Sequence, residues 1–138
     1  MNSQHLAHAS FTISGDQVLP EFWTRYFDVV PDIAITKGDP ITDPTGQGRI
    51  LVRRTGVWGI RSKLMVSSSV LEPHLRYLIN RLSLPKASLR ELLCEKKAEM
   101  CFFCYWANYM GDRVPDVPDD IRAMIESLGG VIEIDEYR

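Results

Sequence analysis

Residues 100–107 read MCFFCYWA: eight consecutive positions, apolar or aromatic on both parities and free of charge. Successive side chains of a strand point to opposite faces, so a strand with one face in water alternates apolar and polar residues. A strand that is apolar on both parities belongs inside a sheet, with cover above and below. The segment therefore predicts a central strand and a fold able to screen it on two sides.

The flanking sequence predicts the partners. Residues 8–14 alternate, with Ala9, Phe11 and Ile13 against polar neighbours, and read as a strand ended by Gly15-Asp16. Pro20 suits the first turn of a helix, where its missing N–H is no loss. The i,i+4 pairs Trp23/Phe27 and Phe22/Tyr26 continue that helix, which must stop before Val30-Pro31. Residues 33–36 form a short strand candidate, and residues 38–48, with three glycines and two prolines, a surface loop. Strand character returns at 50–52 or, more firmly, at 57–60. Leu71, Leu75, Leu78, Ile79 and Leu82 keep the helical spacing, and Pro85 interrupts it. Ser88 and Glu91 have capping-box spacing before Leu89, Leu92 and Leu93. Ile121, Met124, Ile125 and Leu128 mark a last helix stopped by Gly129-Gly130. Residues 131–135 then make a strand with Ile132 and Ile134 opposite Glu133 and Asp135.

The order β-α-β-β-α(α)-β-α-β predicts one α+β domain over residues 1–138. Its first six units match a ferredoxin-like βαββαβ sandwich, a mostly antiparallel sheet with helices on one face. The C-terminal αβ unit extends that sheet, and a right-handed crossover sets the last strand parallel beside residues 100–107. Helices on one face leave the second apolar side of residues 100–107 to a loop or another subunit. A homodimer or protein partner over Phe103 and Tyr105 is the expectation.

Lys plus Arg number 16 and Asp plus Glu 18, a net charge of −2, which argues against general nucleic-acid binding. The distribution is uneven. Arg49, Arg53, Arg54, Arg61 and Lys63 form a basic run without an acidic residue, while the part from Asp112 onward is acidic. No stretch approaches the ~20 apolar residues that span a bilayer, so no membrane association is expected. The N-terminus lacks the basic-then-apolar pattern of a secretory signal. With three cysteines, Cys94, Cys101 and Cys104, the expected setting is a reducing cytoplasm.

Taken in order, Ser14-Gly15-Asp16, Leu19-Pro20-Glu21-Phe22-Trp23-Thr24, Pro31, Lys37-Gly38-Asp39, Gly56-Val57-Trp58, the Leu-rich helix from Leu71, Leu89-Arg90-Glu91-Leu92 and the helix before Gly129 span most of the chain. This series resembles a family of small bacterial proteins known only as a domain of unknown function. The resemblance implies an autonomous α+β domain and no particular chemistry.

Few residue sets point to chemistry. Cys101 and Cys104 have C-x-x-C spacing, but three positions apart on one strand they face opposite sides and share neither a disulfide nor a metal. His5, His8 and His74 are scattered, with His74 expected at the rim of its helix, and no metal or cofactor is called for. Loop aspartates such as Asp16, Asp39, Asp116, Asp119 and Asp120 suit turns and helix starts. The glycines at 38, 46 and 48 match no phosphate loop. Arg53, Arg54, Arg61 and Lys63, with Trp58 between them, form a candidate site for a small anionic ligand. The alternative is a sheet edge blunted by charge. Trp106, Tyr105 and Tyr109 are a second candidate surface, with core packing expected for at least two of them. Three functions follow in order: a non-catalytic binding or interaction domain, a sensor of an anionic metabolite, and an enzyme. The last requires Asp39, His74 and Arg61 to meet in one polar pocket.

Overall fold

The computed structural model describes residues 6–41, 45, 46, 48 and 51–138. Strand β1 (Ala7–Gly15) buries Ala7, Ala9, Phe11 and Ile13 completely and turns His8, Ser10, Thr12 and Ser14 the other way. Helix α1 (Pro20–Phe27) begins at the proline and buries Trp23 and Phe27. Strand β2 (Ile33–Ile35) follows, then β3 (Pro40–Ile41) and β4 (Leu51–Val52), which pair as a short antiparallel hairpin. Strand β5 (Gly56–Arg61), helices α2 (Leu71–Leu82) and α3 (Leu89–Lys96), strand β6 (Glu99–Ala107), helix α4 (Asp119–Ser127) and strand β7 (Val131–Tyr137) complete the order.

Five strands form one sheet in the order β2-β5-β1-β6-β7. The β2–β5, β5–β1 and β1–β6 pairs are antiparallel; β6 and β7 run parallel. The architecture is thus α+β with a mostly antiparallel sheet, and residues 100–107 lie in its interior between β1 and β7. Buried residues from the sheet and all four helices form one cluster. At its centre Phe11 meets Phe102 and Trp58 edge-on, with centroids 5.1 and 6.2 Å away, while Phe27 stacks on Trp58 at 5.1 Å. Gly59 is fixed by a close backbone approach: a Cβ there would sit 2.5 Å from the Phe11 carbonyl oxygen. Gly129 ends α4 with φ +83°, a conformation glycine adopts without steric cost.

Three expectations change. The 38–48 segment is not wholly loop, since Pro40 and Ile41 pair with β4; residues 42–44, 47, 49 and 50 lie outside the described residues. Ser88 precedes α3 but makes no side-chain cap; its hydroxyl bonds Tyr26 Oη at 3.0 Å instead. The cover over β6 is one-sided. Met100, Phe102, Cys104 and Trp106 face the helices and are buried, whereas on the other side the described residues leave Phe103 38 % exposed and Cys101 and Tyr105 half-buried.

Candidate functional site

The uncovered face is defined by strand register. One cross-strand row reads Arg61–Ser10–Phe103–Glu133 from β5 to β7. The next reads His8–Tyr105–Asp135 on β1, β6 and β7, with Lys63 just past the end of β5. On the other side lies Gly59–Thr12–Cys101–Val131. In these three rows the middle of the face is aromatic or small, and one row beyond them exposed Glu99 stands on β6 beside Ser14. Its β5 flank carries Arg61 and Lys63, and its β7 flank Glu133 and Asp135. Among the described residues none of these four forms an ion pair.

The aromatic part is ordered by its own contacts. Tyr105 stacks flat on His8, with centroids 4.7 Å apart and planes 3° from parallel, and lies 4.9 Å from the Tyr137 ring. The hydroxyls of Tyr105 and Tyr109 are 3.2 Å apart, and that bond is the main cause raising the Tyr105 phenol to about 12. Burial and then the charge of Lys63 hold His8 below the usual imidazole range. His8, Ser10, Arg61, Lys63 and Phe103 line a concavity of about 230 Å³ at this end of the face.

The basic run does not converge as one site. Arg53 and Arg54 sit beside the β3–β4 hairpin, in a groove with Ile41, Leu51, Val52 and Val57. Arg61 lies at the far end of β5, about 17 Å along the strand from its start. Nor is β5 an edge, because β2 and β1 flank it. Trp58 is fully buried, and its indole N–H donates to Thr24 Oγ1 at 3.0 Å, so it offers no stacking platform to a ligand. Its even position on β5 turns it inward with Ile60. Phe103 and Tyr105 do lie on the open face. Of the three aromatics at the end of β6, only Trp106 is core, with the Arg113 guanidinium 3.9 Å over its ring; Tyr109 is exposed.

His74 is not a rim residue but is completely buried. Its Nε2–H donates to the Ser68 carbonyl at 3.0 Å, and its Nδ1 accepts the Ser62 hydroxyl at 2.7 Å. Ser62 Oγ in turn accepts the Ala9 N–H at 2.9 Å. The carbonyl only accepts, so Nε2 carries a proton; burial favours the neutral ring, and in that form Nδ1 is the acceptor and the Ser62 hydroxyl the donor. Nearby Asp116 accepts the N–H groups of Leu71 and Glu72 at 2.7 and 2.9 Å, capping α2 from a distant loop. Serine, histidine and aspartate thus meet here, yet Ser62 and His74 are sealed from solvent and every polar atom named is occupied. Sequence reasoning misses Ser62 and gives Asp116 only a local role, because long-range partners leave no local spacing signal.

The other candidate sets are dispersed. Asp39 accepts the Thr36 N–H, Arg61 lies on the open face and His74 is in the core, so these three do not share a pocket. Cys104 is buried and its thiol is pushed up to about 12, chiefly by burial, while Cys101 sits on the opposite face. Among the described residues no three His, Cys, Asp or Glu side chains are grouped to hold a metal ion. Among them, too, no helix is long and apolar enough to cross a membrane. His5 lies outside the described residues.

Over residues 5–138 the chain matches, and belongs to, the family described as a domain of unknown function (DUF4279). No curated protein and no solved structure matches it.

Proposed function

We propose that this domain works by binding rather than by catalysis, and that the open face of its sheet is a contact surface for a second copy of the chain. The observation that carries the reading is the uncovered side of β6, where Phe103 and Tyr105 stand on an interior strand. An interior strand gains from cover on both faces, and one of them is left to water. The two flanks carry opposite charge, so the face is complementary to itself. The sealed Ser62–His74 pair supports the non-catalytic part, since the nucleophile and base residue types that meet there have no access to a substrate. The sheet order β2-β5-β1-β6 supports reading these four strands as a ferredoxin-like sandwich, extended by α4 and β7. Free thiols at Cys94, Cys101 and Cys104 go with a reducing, cytoplasmic setting.

Sedimentation equilibrium tests the reading. The expected result is a dimer at concentrations up to ~100 μM, the range for a contact at the small end of specific interfaces. Phe103→Asp is expected to give a folded monomer. A wild-type chain that stays monomeric across that range removes the proposal.

The concavity of about 230 Å³ between His8, Ser10, Arg61, Lys63 and Phe103 favours a second reading, a small organic anion held by the two cations. Thermal shift with phosphate and short carboxylates separates the two. A stabilisation lost in Lys63→Ala, in a chain that remains monomeric, favours the anion.

A further inference from the structure

We propose that the second copy docks about a twofold axis that runs along the strands, between the two stacked sheets and midway between β1 and β6. The inference rests on the open face being a contact between copies, and it adds which residues meet. Two in-plane axes give a face-to-face pair. An axis across the strands lays β5 on β5 and β7 on β7, so the basic flank faces its own equivalent and so does the acidic one. An axis along the strands lays β5 on β7 and keeps each cross-strand row opposite its own row reversed. The row Arg61–Ser10–Phe103–Glu133 then sets Arg61 against Glu133 of the second copy, twice per dimer, and Phe103 covers the small Ser10. The row beside it sets His8 against Tyr105 of the second copy and brings Lys63, past the end of β5, toward Asp135.

Under the strand-parallel axis the half-exposed Val131 of β7 lies over the β5 end of its own row, at Gly59, where Thr12 and Ile33 fill the space a side chain would take. The spans are adequate. Strands about 4.8 Å apart put β5 and β7 about 14 Å from each other, and sheets stack about 10 Å apart, a gap an extended Arg and Glu close together. Four strands of about seven residues give a footprint on the order of 440 Å² per copy. That is small, below the total of about 1,000 Å² a stable specific interface clears, so the contact is a weak one.

The test is a charge exchange read by sedimentation. Arg61→Glu and Glu133→Arg, each alone, put two like-charge contacts into the dimer and are expected to raise its dissociation constant at least ~10-fold. The double variant restores both contacts with reversed sign and is expected within ~3-fold of wild type. An equimolar mixture of the two single variants is expected to form a heterodimer, because the carboxylate introduced on β5 of one then meets the guanidinium introduced on β7 of the other. Both positions are exposed, so each variant keeps its fold, checked by circular dichroism. A wild-type dimer indifferent to the single exchanges, or one weakened by them without rescue in the double variant and the mixture, overturns the axis and leaves the contact face standing. A wild-type monomer overturns both.

Discussion

Replacing Ser62 with Ala removes one oxygen and orphans two buried groups. The Ser62 hydroxyl accepts the Ala9 N–H at 2.9 Å and donates to His74 Nδ1 at 2.7 Å, and both Ser62 and His74 are fully buried. His74 cannot compensate by moving its proton, because Nε2–H is committed to the Ser68 carbonyl. Each buried group left unpaired costs about 1–3 kcal/mol. The expected destabilisation is therefore about 2–6 kcal/mol, a large part of the ~5–15 kcal/mol that holds a typical domain together. In urea the midpoint should fall with little change in slope, and the melting temperature should drop by about 10 °C. A loss below ~0.5 kcal/mol, well under the cost of even one orphaned group, would refute the reasoning. So would covalent labelling of Ser62 in the folded protein by a fluorophosphonate, since that requires an accessible, activated hydroxyl.

His74 lies below its ordinary pKa of 6.5, chiefly through burial, so the folded state favours the neutral ring. The unfolded chain takes up the proton first, and stability should fall as pH drops below 6.5 and level off once the folded His74 titrates; denaturant melts of wild type and His74→Gln between about pH 7.5 and 5, the ordinary range of imidazole titration, should show a smaller decline in the variant. Gly59→Ala places a Cβ 2.5 Å from the Phe11 carbonyl oxygen, and because that neighbour is backbone the β1–β5 pair must part; a loss of at least ~2 kcal/mol in chemical denaturation is expected. Cysteine labelling near neutral pH should modify exposed Cys94 first and spare Cys104, whose buried thiol is raised to about 12, until the protein unfolds. Rapid labelling of Cys104 in the native state would contradict its placement.

What the sequence made legible follows from which interactions are local. Alternation in residues 8–14 and 131–135, the leucine spacing from Leu71 and the proline at 20 act within a few residues, and each produced the element expected of it. The uncharged octapeptide placed β6 inside the sheet, and the parallel β7 beside it followed from connection rules. Long-range partners were not legible. Ser88 has capping-box spacing but turns to Tyr26, 62 positions away, and His74 flanks an apolar stripe yet is drawn inside by Ser62 and Ser68. Trp58 and the basic residues around it are neighbours in sequence, but alternation along β5 sends the indole into the core and Arg61 to the open face. The charge polarity of that face was equally hidden. It belongs to rows assembled from β5, β1, β6 and β7, and a row exists only once register is set.

The same register accounts for why one polar group is sealed and others are left in water. Near the start of β1 the ladder to β5 runs out after Arg61, and Ala9 would face the following loop with an unmatched N–H. The Ser62 hydroxyl takes it, while the Ser62 N–H donates to the Ala9 carbonyl, so the sheet closes on a side chain rather than a strand. That closure requires Ser62 to point inward, and alternation then sends its neighbours Arg61 and Lys63 outward. The cations of the open face are thus consequences of how β5 ends, and their distance from Glu133 is fixed by the two strands between. A sheet that must bury Ser62 for its own stability thereby holds one charged flank at a set spacing from the other. The face can be rewritten by exchanging Arg61 and Glu133 without touching the core, whereas Ser62 cannot be changed without loosening the element that presents them.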